Sequence, residues 1–150
     1  LEFSVTKVNH QEDLRLQLQK MLDATKSQAE RNKLGQFSTP PELARDMLAY
    51  AKTLLSPEQP IQFLDPAFGL GAFYSALRAE FPSSRIVRAT GVEIDPLYGS
   101  AAIKLWSHTP LGLHIADFTH LNSPPDRANL LICNPPYVRH HHLTTAQKAA

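Results

Sequence analysis

Asn134-Pro135-Pro136-Tyr137 sets a carboxamide, two proline rings and a phenol in four consecutive positions. That run suits one demanding reaction, alkylation of a conjugated amino group. An aromatic or amide N–H2 is a poor nucleophile because its lone pair is delocalised into the ring or carbonyl. To attack a methyl sulfonium it needs acceptors for its hydrogens, so that the nitrogen can pyramidalise. The Asn134 side-chain oxygen and the Pro135 backbone carbonyl can supply two of them. Pro135 and Pro136 fix φ, remove competing N–H donors and stiffen the turn, which preorganises those acceptors. Tyr137 offers a flat face on which a base taken out of its helix can stack. The alternative is a plain proline-rich turn with Tyr137 as a capping aromatic, and three upstream motifs weigh against it.

The first of these is Asp65-Pro66-Ala67-Phe68-Gly69-Leu70-Gly71. Gly69 and Gly71 let the backbone turn tightly and approach a ligand that a Cβ would exclude. Asp65 can accept hydrogen bonds from a cationic group such as an amino acid's ammonium. By itself a Gly-x-Gly turn can merely join strand to helix. The second motif is Gly91-Val92-Glu93-Ile94-Asp95, about twenty residues on, where an acid typically holds the two ribose hydroxyls of a nucleoside. Together they favour a bound nucleoside without choosing between a nicotinamide dinucleotide and S-adenosylmethionine. Two details favour the latter. Tyr74 stands where the dinucleotide pattern wants glycine or alanine, and a carboxylate at the head of the loop would repel a pyrophosphate. The third motif, Ala116-Asp117-Phe118, offers an acid to accept from an adenine amine and a ring to lie against the base.

The elements that must position these residues follow from periodicity. Apolar or small residues at 14, 18, 21, 22, 25 and 29 predict an amphipathic helix over 11–31. Ser38 or Thr39, followed by proline, is expected to cap a helix running to about residue 55. Its inward face would be Ala44, Met47, Leu48, Ala51, Leu54 and Leu55. Residues 56–60 break the pattern. Strands are then expected at 61–65, 86–95, 111–116 and 129–134, with helices to about 81 and over 96–108, and a proline-rich loop at 122–127. This alternation implies an α/β fold, a parallel sheet with helices on both faces. The unusual residues cluster at the carboxyl ends of the strands, where open α/β sheets bind ligands.

Composition sets bounds. With 43% hydrophobic and 19% charged residues, the 150-residue chain can bury one domain core. Nothing in it has the length of a membrane span, and no signal-peptide pattern opens it, so no membrane partner is expected. Cys133 is the only cysteine, which excludes an intrachain disulfide and suggests a reducing compartment. Its apolar surroundings predict a buried, inert thiol. The net charge of +1 gives no compositional support to DNA as a partner. Arg139-His140-His141-His142 reads as a polar loop near the substrate and not as a metal site, because adjacent histidines cannot converge on one ion. Lys7, Lys20, Lys26, Arg31 and Lys33 read as solvated helix-face charges. The start at Leu1, without methionine, suggests a piece of a longer protein.

With these motifs in this order, the chain resembles the γ-arrangement adenine-N6 DNA methyltransferases of bacterial restriction–modification systems. The likeness covers roughly residues 33–139 and includes Gly35-Gln36-Phe37-Ser38-Thr39-Pro40-Pro41 as the family's N-terminal cofactor motif. It implies a Rossmann-like S-adenosylmethionine-dependent methyltransferase fold, here the first four strands of a seven-stranded, mostly parallel sheet. Residues 1–34 would be a helical segment before a cofactor-binding domain at 35–150. Phe37 and Thr39 would line the methionine end of the pocket. Asp65 and Ala67, with the Gly69 and Gly71 turn, would hold the amino-acid portion, and Glu93 the ribose. Ile94 and Phe118 would sandwich the adenine, and Asp117 would bind its amine. Asn134, Pro135, Pro136 and Tyr137 would hold the target base. The implied reaction is direct methyl transfer from S-adenosylmethionine to adenine N6, without a metal, on double-stranded DNA with a flipped adenine.

Family members continue past the tetrad with three more strands and a target-recognition domain, whereas 13 residues follow Tyr137 here. The expectation is therefore half a sheet without a sequence reader. The apolar strand at 129–134 would lie at an open edge, with strand order third, second, first, fourth. The isolated chain would then dimerise through that edge or need a missing segment, and would methylate no specific DNA site. Two alternatives stand beside this reading. One is an RNA or protein-glutamine N-methyltransferase, and the other is an inactive cofactor-binding fragment.

Overall fold

In a computed structural model of the protein, residues 2–34, 36–121 and 127–137 are described. The sheet comprises β1 (Ile61–Asp65), β2 (Ile86–Glu93), β3 (Leu111–Ile115) and β4 (Leu130–Leu131). It is parallel throughout in the order β3-β2-β1-β4, as expected. The helices are α1 (Glu2–Asp23), α2 (Gln28–Leu34), α3 (Pro41–Leu54), α4 (Ala72–Glu80) and α5 (Pro96–Leu105). β1 and the second half of β2 bury consecutive residues, as strands covered on both faces do. The two crossovers march in the same direction, so right-handed connections put α4 and α5 on one face, and not on opposite faces as the alternation of strands and helices suggested. α5 lies against β2 and β3, α3 packs on α4, and α1 lies across α4 and α5. Among the described residues no helix is long and apolar enough to cross a membrane.

The strand register does the positioning. Asp65 pairs with Gly91 and Glu93 with Ile115, so the carboxyl ends of β1, β2 and β3 meet along one edge. β2 stops at Glu93, short of residue 95, because the Glu93 carboxylate turns back to accept the Asp95 N–H at 2.8 Å. Asp95 in turn caps α5 by accepting from Leu97 N–H at 2.9 Å. That helix ends at Leu105, three residues before the expected 108.

Behind the edge, Tyr74 meets Trp106 edge-on at 5.0 Å, with Phe63 and Phe68 beside it. The Trp106 indole N–H donates to the Leu70 carbonyl at 3.0 Å, tying the first loop down. Phe68 is buried between Gly71 and Gly91, where an added Cβ would stand 2.6 and 2.4 Å from its ring. The close approach at these glycines is thus made by the chain's own aromatic side chain.

Several expectations need correction. The helix over 11–31 is two helices, because Ser27 and Glu30 form a reciprocal cap that starts α2. Its buried face is also turned. Leu22 is buried and Leu18 packs on the core, but Leu14, Met21, Thr25 and Ala29 are exposed, and Glu12 and Arg15 lie inward instead. Neither Ser38 nor Thr39 caps α3, whose N-cap is Pro40 without a side-chain bond. Ala44, Leu48 and Ala51 are buried as expected and Met47 and Leu55 pack against them, whereas Leu54, in the last turn, is exposed. Lys26 is no solvated charge: it pairs with Asp95 and donates to Gln36.

β4 is shorter than 129–134. Asn129 substitutes its carboxamide for part of the ladder, accepting from Gln62 N–H at 2.8 Å and donating to the Pro60 carbonyl at 2.7 Å. Beyond the Ile132 N–H, which reaches the Leu64 carbonyl, the chain turns into prolines that have no N–H. Leu130 and Ile132 are buried and Leu131 is 57% exposed on β4, the edge strand among the described residues. Cys133 is half-buried, and burial with nearby Asp65 pushes its thiol pKa up, which keeps it protonated and unreactive. Most of the loop at 122–127 and all of Arg139-His140-His141-His142 lie outside the described residues, as do the side chains of Lys7 and Lys33.

Candidate active site

One cavity of about 440 Å³ opens along the carboxyl edge of the sheet, within the range of small-molecule sites. Four strand ends and the segment before α3 contribute to it. From the sequence-derived set it gathers Phe37, Thr39, Ala67 and Gly69, then Glu93, Ile94, Asp117 and Phe118, and finally Asn134, Pro135 and Pro136. Asp65, Gly71 and Tyr137 do not line it.

Glu93 sits at the centre of this arrangement. Its carboxylate accepts from Gly69 N–H at 2.6 Å and from Asp95 N–H at 2.8 Å, so it holds both the β1 loop and the start of α5. Burial raises its pKa, partly offset by those backbone donors. Gly69 takes φ of 55°, with open space where a Cβ would be, so the loop presents bare backbone beside an acid. Asp65 lies under the same loop, 1% exposed, accepting from Ala67 N–H at 3.1 Å. Burial, reinforced by nearby Glu93, pushes its pKa up to about 7. In this geometry Asp65 shapes the loop from behind, and its carboxylate does not face the cavity.

At the far end Asp117 accepts from the Thr119 N–H and hydroxyl at 2.9 and 2.7 Å, and these bonds hold its pKa down. It remains partly exposed, with lone pairs to spare. Ile94 is exposed and Phe118 partly buried, two apolar side chains at the rim near Glu93 and Asp117.

Asn134 donates from Nδ2 to the Phe37 carbonyl at 3.2 Å, which joins the β4 turn to the segment before α3 across 97 residues of chain. That bond uses the donor side of the carboxamide and leaves Oδ1 as an acceptor. Thr39 is buried beside it in the wall, whereas the Phe37 ring and Tyr137 are exposed.

Sequence reasoning missed one wall. Arg15, Gln19 and Asp23 of α1 line the cavity, as do Gln36 and Tyr98. The Tyr98 hydroxyl donates to Asp23 at 2.7 Å, and Gln36 donates to Asp95 at 3.0 Å, so α1 and the 36–39 segment are tied to α5. The available signal was three polar residues at four-residue steps on one face of α1.

No family model matches the chain. It is 32% identical over 124 residues to the type II methyltransferase M.XamI of Xanthomonas campestris pv. amaranthicola, covering 77% of this chain and 22% of that protein. It is 30% identical over 112 residues to the type II methyltransferase M.AccI of Acinetobacter calcoaceticus, covering 74% and 19%. A solved structure of a candidate RNA methyltransferase from Pyrococcus horikoshii superposes with a TM-score of 0.58 at 22% identity, over 72% of this chain and 54% of that one. At that identity the likeness bears on the fold, which is the Rossmann-like methyltransferase fold expected from the sequence. The chain spans about a fifth of the length of the curated relatives it matches. Over about three quarters of its own length, the chain is similar to these two type II methyltransferases.

Proposed function

We propose that this chain is the cofactor-binding and catalytic portion of a bacterial, cytoplasmic DNA methyltransferase that modifies adenine at N6. The observation that carries this reading is the Asn134–Phe37 hydrogen bond, which orients a carboxamide acceptor at a cavity containing Glu93 and Asp117. The donor set fits S-adenosylmethionine. Glu93 beside bare Gly69 backbone suits ribose hydroxyls, Asp117 suits an adenine amine, and Ile94 and Phe118 suit the flat faces of the base. When bound, this cofactor supplies an electrophilic methyl group on sulfur.

The chain's own residues then do three things. Asn134 Oδ1 and the Pro135 carbonyl accept the hydrogens of the target amine and draw its lone pair out of conjugation. Pro135 and Pro136 hold those acceptors in place. Tyr137, exposed beyond the cavity, stacks on the extruded base. Residues 1–34 supply the helical wall and 35–150 the cofactor domain, with duplex DNA held by regions beyond those described. The likeness to two type II methyltransferases supports DNA over RNA or protein as substrate.

Labelled methyl transfer by the full-length protein to adenine-containing duplexes, RNA and protein tests this reading. Label on duplex adenine N6 is the expected result, and label confined to RNA or to glutamine overturns it. Asn134→Ala should slow transfer on the order of 10²–10³-fold, with cofactor affinity nearly unchanged. Near-normal turnover in that variant would remove Asn134 from the reaction.

A further inference from the structure

α1 turns Arg15, Gln19 and Asp23 into the cavity wall, one residue per helical turn. Arg15 is 1% exposed, an uncommon place for a guanidinium. Its Nε and Nη2 donate to the Glu12 carboxylate at 2.8 and 2.7 Å, a two-pronged bond that fixes the plane of the group. Among the described residues no further partner of Arg15 is seen, which leaves Nη1 over. Nor is any described side-chain nitrogen both sealed off and unbonded, so Nη1 retains a little accessible surface, and Arg15 is among the residues that line the cavity.

The charges around the cavity make that nitrogen informative. Among the described lining residues the acids are Asp23, Glu93 and Asp117, and Arg15 is the lone lysine or arginine. A sulfonium amino-acid nucleoside carries two cations, the sulfonium and the ammonium, and a single anion, the carboxylate. The first turn of α4 adds to the match. Ala72 and Phe73 line the cavity, and the Gly71 N-cap offers no side-chain acceptor to their N–H groups.

Resting on the cofactor reading above, we propose that Arg15 binds the carboxylate of the cofactor's amino-acid end, with Glu12 as the positioning residue that aims it. α1 is then part of the cofactor site, and the carboxylate is gripped from the helix side while Glu93 takes the ribose.

Calorimetric titration of the full chain with S-adenosylhomocysteine and with its decarboxylated analogue, which keeps the amine, tests this directly. The unaltered protein should prefer S-adenosylhomocysteine by roughly 10- to 100-fold, the worth of one charge-assisted hydrogen bond. Arg15→Met combined with Glu12→Gln, which leaves no orphaned charge, should erase that preference while keeping the analogue's affinity within about threefold. Equal affinities in the unaltered protein, or a preference that survives the double substitution, overturn the assignment and leave the cofactor reading standing. Should the double variant not fold, the comparison on the unaltered protein decides. If the unaltered protein binds neither ligand, the cofactor reading fails and the assignment with it.

Discussion

Asp65 and Glu93 end neighbouring strands, yet the fold uses them differently. Glu93 reaches the cavity while gripping Gly69, whereas Asp65 is sealed beneath the loop with a pKa pushed up to about 7. That shift has a sign in stability. The folded chain holds the Asp65 proton more tightly than the unfolded chain, whose value is 3.8. Stability from this group is therefore full below pH 3.8 and falls as pH rises towards 7, by about 4 kcal/mol in all. Asp65→Asn keeps an acceptor for Ala67 N–H and should flatten the fall, as denaturant melts at pH 4 and pH 7 would show. An unchanged pH slope would mean that Asp65 is ionised in the folded protein. Both acids could be picked out in the sequence because they follow apolar strands at a recognisable spacing. Their different depths could not, since depth depends on Phe68 folding back between two glycines.

At the scale of elements, the glycines divide by what surrounds them. Gly91→Ala would drive a Cβ to 2.4 Å from the Phe68 ring and 2.7 Å from Leu113, both packed in place. A loss of about 1–3 kcal/mol is expected from that overpacking. Gly71→Ala meets a similar clash and adds a left-handed φ of 83°, so it should be worse. Gly69→Ala meets nothing and carries only the strain of φ 55°, about 1–2 kcal/mol. Thermal unfolding should rank Gly71→Ala as the most damaging and Gly69→Ala as no worse than Gly91→Ala; the reverse order would contradict the packing described. Sequence periodicity located β1, β2, β3, α4 and α5 closely because their apolar runs end in turn chemistry at Asp65, Asp95 and Asp117. It misjudged α1 because the inward side of that helix carries Glu12 and Arg15, which an apolar pattern cannot reveal. It also missed the Ser27–Glu30 cap, which was present as a Ser-x-x-Glu run but lay inside the assumed helix.

Across the whole molecule, the cavity is assembled from both ends of the chain. α1 and the 36–39 segment meet the 134–136 turn, and the Asn134–Phe37 bond closes the ring. Long-range closure of this kind leaves no local trace, so the motifs could be named while their mutual contacts could not. Among the described residues β4 lies at the edge of the sheet with Leu131 57% exposed, and an unpaired apolar strand templates association. Light scattering should find the isolated chain self-associated and Leu131→Lys shifted towards monomer; a monodisperse monomer of the unaltered chain would refute this.

On the reading proposed above, one cavity, organised by Glu93, takes a methyl-donor nucleoside. Calorimetry of the unaltered protein and of Glu93→Ala, with S-adenosylhomocysteine and with NAD, tests it most directly. Binding of S-adenosylhomocysteine, no heat from NAD, and an affinity lowered roughly 10- to 100-fold by Glu93→Ala are expected. Heat from NAD with none from S-adenosylhomocysteine would contradict it, as would an unchanged affinity in the variant.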